Sequence, residues 1–272
     1  MLGRWFAQSL RRLLCRPRFQ PLCERLHQFA LAAMNFGGGA DVQRSGECVV
    51  IELLARRAAS GTPLCVLDVG ANVGDYTRAI VAALGPRVVL HSFEPSRVTH
   101  AALVKNTVGL TNVRTYNFGL GRIDERVPLY SNAAESGLAS VFRRRLDHFE
   151  VDMQPVEEIE LRTLDGFCAE QRIEHIDLLK LDVEGNELNV LAGAQRMLEA
   201  SCVDLIQFEF GGCNIDSRTY FQDFYYVLNS RYRLYRILPG GLVPIDKYKE
   251  TYEVFVTTNY VAVRRESPPR RP

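Results

Sequence analysis

The chain carries almost no net charge: 33 basic and 32 acidic residues among 272 leave +1. General nucleic-acid binding needs a basic excess to neutralise phosphates, so no nucleic-acid partner is expected. Nor does it lack apolar residues. At 47% hydrophobic and 24% charged it is not a disordered chain. Its seven cysteines are odd in number and contain no CxxC pair. That leaves no zinc spacing and no disulfide framework, and points to reduced thiols in a cytoplasmic protein. No apolar run approaches the roughly 18 residues that cross a bilayer. There is no internal repeat and no linker that would split two domains.

Acidic residues are missing from the first 23 positions. Arg4, Arg11, Arg12, Arg16 and Arg18 precede the first acid, Glu24. Leu2, Phe6, Leu10, Leu13 and Leu14 share one helical face with the arginines largely opposite. Three readings fit: an N-terminal helix packed on the domain, peripheral contact with an anionic membrane, and a transit peptide. Pro17 and Pro21 separate this helix from a second over residues 22–34. Gly37-Gly38-Gly39 is a break. Ser45 looks like the N-cap of a third helix, to about residue 59, with Glu47 in its first turn. Residues 1–60 are therefore expected to be a helical extension, 61–265 the main domain, and 266–272 a disordered tail.

From residue 64 strands alternate with helices. Short β-branched runs at 64–69, 88–93, 113–118, 176–181 and 203–210 are separated by segments of helical periodicity. Two more strands, 232–238 and 252–263, follow a helix over 220–228. That pattern predicts an α/β fold: one Rossmann-like, mostly parallel sheet of about seven strands. Residues 124–162 break it and read as an insertion or hairpin covering the site, with Arg143-Arg144-Arg145 and His148 inside. Thr163 is placed as the N-cap of a helix to Gln171.

The strongest signal is Val66-Leu67-Asp68-Val69-Gly70-Ala71-Asn72-Val73-Gly74-Asp75, a buried strand entering a glycine turn and a helix. The dinucleotide fingerprint GxGxxG fails, because Asn72 and Asp75 stand where its second and third glycines belong. The phosphate loop GxxxxGK[ST] fails as well, since no Gly-Lys pair occurs anywhere. Gly70 and Gly74 lack Cβ atoms, which would let a ligand approach the backbone. Glu94 in Phe93-Glu94-Pro95 ends the next strand, where a carboxylate can accept from two ribose hydroxyls.

Four motifs in order resemble the FkbM-type methyltransferases: Asp68-Val69-Gly70-Ala71-Asn72-Val73-Gly74, Phe93-Glu94-Pro95, Asn117-Phe118-Gly119-Leu120-Gly121 and Asp182-Val183-Glu184-Gly185-Asn186-Glu187. The resemblance implies S-adenosylmethionine as cofactor and methyl transfer to a hydroxyl oxygen of a sugar, polyketide or related small-molecule or glycan acceptor. It implies that Asp68, Gly70, Asn72 and Gly74 surround the methionine part, that Glu94 holds the ribose, and that Asn117 and Phe118 lie near the adenine.

Asp182 and Glu209 end neighbouring strands and are the candidate catalytic pair. A carboxylate there could hold the cofactor's amino group, take the hydroxyl proton, or, with Glu184, ligate a hard cation; no metal is assigned. Glu187 reads as a first-turn helix residue. The alternatives are a nucleoside-binding protein without turnover and an NAD-type oxidoreductase.

Overall fold

A computed structural model describes residue 11 and residues 14–38, 45–58 and 63–265. The helix expected over residues 2–14 and the tail from 266 lie almost wholly outside the described residues. Eleven strands are present among them: β1 Leu64–Val69, β2 Val88–Phe93, β3 Val113–Tyr116, β4 Gly119–Gly121, β5 Glu125–Ser131, β6 Gln154–Thr163, β7 Ile176–Leu181, β8 Val203–Phe210, β9 Tyr232–Leu238, β10 Gly241–Ile245 and β11 Thr258–Arg264. The helices are α1 Gln20–Ala33, α2 Glu47–Arg57, α3 Asp75–Leu84, α4 Arg97–Asn106, α5 Leu164–Gln171, α6 Glu187–Ala192, α7 Gln195–Glu199, α8 Cys213–Ser217 and α9 Phe221–Leu228.

The central sheet has eight strands in the order β10-β9-β11-β8-β7-β1-β2-β3. The expected seven were one short. The missing strand is β10, which hairpins back on β9 through Pro239 and Gly240. Its Pro244 has no N–H for a ladder, a residue tolerated at a sheet edge, and β10 is the edge. Strands β3, β2, β1, β7 and β8 run parallel, whereas β11 is antiparallel to both β8 and β9.

Strands β1 and β7 are buried along nearly their whole length and largely apolar because helices cover both faces. On one face, α2 buries Val50, Ile51 and Leu54 with Tyr76, Ile80 and Leu84 of α3. On the other, Phe208 stacks on Phe224 and Tyr260 at 4.7 and 5.5 Å. Each such ring contributes roughly 1.5–3 kcal/mol through burial.

Several local readings change; the strand expected over 252–263, for one, begins only at Thr258. The N-cap of α2 is Gly46, with φ +88°; Ser45 sits one residue earlier and its Oγ accepts from Glu47 N at 3.3 Å. The helix expected over 187–200 breaks at Gly193, where a Cβ would run into Gly121 O. Thr163 caps α5 as expected, accepting from Gly166 N at 3.2 Å.

The insertion forms a second sheet, β4-β6-β5. Its core of Leu129, Ile159 and Leu161 anchors the loop after β5. Tyr130 and Ser140 exchange backbone hydrogen bonds of 2.8 and 2.9 Å, and Ser140 Oγ donates to Glu184 O at 2.7 Å. These bonds fold the loop over the carboxyl ends of the central strands.

Candidate active site

The chain winds outward from β1 through β2 to β3, then returns to β7 on the other side of β1. That reversal leaves a crevice beyond the carboxyl ends of β1 and β7, where ligands bind in open α/β sheets. Two adjoining cavities occupy it. The first is lined by Gly70, Asn72, Glu94, Gly119, Leu120 and Asp182, among others. The second, about 790 Å³, is lined by Arg144, His148, Glu184, Glu209, Asp216 and Thr257, among others. Asn72, Gly137, Asp182 and Glu184 border both.

The glycine turn after β1 is held by Gly70 N and Ala71 N, which both donate to Phe93 O at 3.0 and 2.9 Å. Gly70 has φ +82°, and a Cβ there would collide with Asp182 O. Gly74 has φ +93°, and a Cβ would lie 2.8 Å from Leu103 Cδ1. Both glycines are thus demanded by the protein's own packing, a stronger constraint than access for a ligand. Between them Asn72 adopts φ +47° and leaves its buried Oδ1 without a partner, beside both cavities.

Glu94 lies in the first cavity. Its Oε2 accepts from Asn72 N at 3.1 Å and its Oε1 from Ser96 N at 2.9 Å. These bonds fix the carboxylate and leave further lone pairs for a diol. Asn117 and Phe118 are turned away from the cavity. Asn117 Nδ2 donates to Glu94 O and Pro95 O, steadying that turn. Phe118 packs with Phe93, Tyr116 and Phe167 under the Arg162 guanidinium. The cavity wall expected from that motif is supplied by Gly119 and Leu120.

Asp68 borders neither cavity. It is fully buried, its Oδ2 accepting from Thr77 Oγ1 at 2.7 Å and its Oδ1 lying 3.6 Å from Lys180 Nζ. Lys180 also bonds Asp182 Oδ2 at 3.1 Å and sits 4.9 Å over the Tyr76 ring. Gln207 Nε2 donates to Glu47 Oε1 at 2.7 Å, and Gln207 Oε1 accepts from the Tyr76 hydroxyl at 2.9 Å. This buried polar network connects α2 with β8 and α3. Sequence reading missed Lys180; the signal was a lysine inside the buried run Ile176–Leu181.

Asp182, Glu184, Glu187 and Glu209 converge at the rim. Asp182 stands where the cavities meet, already paired with Lys180. Glu187 begins α6 as expected. It also turns back, its Oε1 accepting from Val183 N and Gly185 N at 3.1 and 3.2 Å. Of the three arginines in the cover, Arg143 and Arg145 face outward. Arg144 is buried, pairs with Glu184 at 2.5 Å and lies 3.9 Å from Asp216. Glu209 borders the second cavity and is only 7% exposed, and its side chain makes no hydrogen bond or ion pair among the described residues. Glu184, Glu209 and Cys213 bring their donor atoms within 4.8 Å of one another. The thiol donates to Asn214 Oδ1 at 3.4 Å, and such a soft ligand does not suit a hard cation.

Burial raises the carboxyls at this rim. Glu94 is pushed up to about 7, against two opposing backbone hydrogen bonds. Glu187 is likewise pushed to about 7. Glu184 reaches about 8, with Arg144 opposing and Asp182 and Glu187 reinforcing. Between pH 4.5 and about 8 the folded protein therefore holds protons that the unfolded chain has released. Stability of the ligand-free protein falls as pH rises through that window. His91, which burial lowers to about 4, acts oppositely but only up to 6.5. The expected result is a melting temperature that declines from pH 6.5 to 8. Calorimetric scans showing a flat or rising profile would contradict these assignments.

The model of the Methyltransferase FkbM domain matches residues 68–237. The 2-O-methyltransferase NoeI of Sinorhizobium fredii is 29% identical over 142 residues, covering 49% of this chain and 58% of that protein. Methyltransferase 1 of Beauveria bassiana is 27% identical over 143 residues, covering 47% and 57%. The chain thus spans under two thirds of the length of either relative. An O-methyltransferase from Bacillus cereus, solved in complex with SAH, overlaps 97% of this chain and 100% of its own at 15% identity and a TM-score of 0.44. With more than half of its length matched, the chain belongs to the FkbM methyltransferase family, whose methyl donor is S-adenosylmethionine.

Proposed function

We propose that this chain transfers a methyl group from S-adenosylmethionine to a hydroxyl oxygen of a sugar, polyketide or related metabolite. The carrying observation is the pair of cavities that meet at Asn72 and Asp182. One has the features of a nucleoside site, and the other presents an unpartnered carboxylate.

The residues of the first cavity fit the cofactor. Glu94 offers lone pairs to the ribose hydroxyls. The unpartnered Asn72 Oδ1 and the charged Asp182 offer acceptors to an amino group. Bound there, S-adenosylmethionine supplies an electrophilic methyl group. Asp182, at the seam between the cavities, would orient the donor. Glu209 would take the proton that the acceptor hydroxyl gives up. Arg144 holds Glu184 and the cover in place, keeping water from the reacting atoms. The name of the NoeI relative supports a hydroxyl acceptor.

The test is transfer of labelled methyl to a panel of sugars, glycans and polyketide alcohols. Labelled ethers support the reading, and transfer confined to amines or thiols rejects it. Replacing Glu94 with alanine is expected to weaken cofactor binding about tenfold or more, the scale of a lost charged hydrogen bond. Isothermal titration measures it, and wild-type affinity would remove Glu94 from the site.

A further inference from the structure

The long helices of the core turn their apolar stripes inward, but α1 turns its stripe outward. It buries no residue. At about 100° per residue, Leu22, Leu26, Phe29 and Ala33 fall within an arc of about 60°. Leu22, Leu26 and Phe29 are 51, 57 and 73% exposed. Half-buried Leu31 lies on the opposite side, flanked by Glu24, His27 and Gln28. The two partly covered residues, Leu31 on the polar side and Cys23 at its flank, both lie off the apolar stripe, whose Leu22, Leu26 and Phe29 are exposed.

This helix leads straight to the second cavity. Asn35 Nδ2 bonds Ser45 O and Ile237 O, Phe36 is buried beneath Arg236, and Gly37 N donates to Thr257 O at 2.7 Å. Gly37 lines the cavity, four residues after α1 ends. The cavity's own rim repeats the surface chemistry of the helix: Phe149, Ile215 and Val256 are 69, 59 and 40% exposed, beside Arg145.

We infer that α1 and this rim dock on an anionic lipid surface and hold the mouth of the second cavity at the lipid–water interface. Charge selects the occupant. Residues 1–33 hold six arginines and one acid, so two copies meeting through this face would repel. An anionic bilayer attracts the arginines and buries the leucine and phenylalanine side chains. Taken with the proposed methyl transfer, and resting on it, this makes the acceptor a hydroxyl carried on an amphiphile.

The experiment is flotation of the full chain with phosphatidylcholine vesicles containing about 30% phosphatidylglycerol, against phosphatidylcholine alone. Expected are binding to the anionic vesicles only and a loss of about tenfold or more in Leu26→Glu/Phe29→Glu. Phe149→Glu, altered at the rim, should also weaken it. Unchanged S-adenosylmethionine affinity in the double variant shows that it is folded. No binding to anionic vesicles, or equal binding by the double variant, overturns the inference. So does a wild-type dimer that the double variant dissociates. Equal binding by Phe149→Glu overturns the placement of the cavity mouth. Vesicle binding is read without methyl donor, so its failure is separate from failure of the transfer reaction.

Discussion

Replacing Lys180 with methionine is expected to lower unfolding stability by about 3–5 kcal/mol, the usual cost of removing one partner from a buried ion pair. Lys180 is 4% exposed and is the cation within bonding reach of both Asp68 and Asp182. Asp68 has no exposure, so it must keep an unpaired charge in the sheet or take up a proton. Methionine retains most of the stem, which separates loss of charge from loss of volume. Urea titration of the two proteins gives the difference. The second variant, Lys180→Met/Asp68→Asn, should recover a substantial part, because it deletes the stranded charge. A single variant within about 1 kcal/mol of wild type would mean that water reaches the site.

Glu209→Gln is expected to cut kcat by about 10²–10³-fold, the range of a lost general base, with cofactor affinity nearly unchanged. Glutamine preserves shape and cannot accept a proton. Glu209 borders only the second cavity, so its loss should spare the first. Burial, reinforced by Asp182, Glu184 and Glu187, raises the Glu209 carboxyl well above its ordinary value. In wild type the rate should therefore rise with pH as that proton is lost, and the variant should lack this limb. Glu209→Asp should restore part of the rate with the limb intact. A variant that keeps the wild-type rate and profile would pass the role of base to another group.

The sequence made the alternation of strand and helix legible because buried parallel strands and amphipathic helices differ in period. Strand β10 escaped because Leu242-Val243-Pro244-Ile245 is short, carries a proline and needs no alternation at an edge. At the site, Glu94 and Asp182 were legible from their places at strand ends. Asp68 was expected beside the cofactor, but it borders neither cavity. Residues on the two faces of a strand buried on both sides look alike, and this one points to the face covered by α3, beside Lys180. Arg144 could not be separated from Arg143 and Arg145, since only the path of the covering loop decides which of three adjacent side chains turns inward. The outward stripe of α1 has the same composition as an inward one, and burial alone tells them apart.

The position of β11 has a consequence for how the protein is made. This strand, residues Thr258–Arg264, separates β8 from β9, which ends at Leu238. The segment matched by the family model stops at Ile237 and lacks it. During synthesis β8 and β9 therefore emerge with one edge each left open, until some 20 further residues have followed. Val261 and Ala262, both fully buried, then close the gap from the C-terminal side. A nascent chain released or cleaved before that point exposes two unpaired strand edges, the template on which chains aggregate.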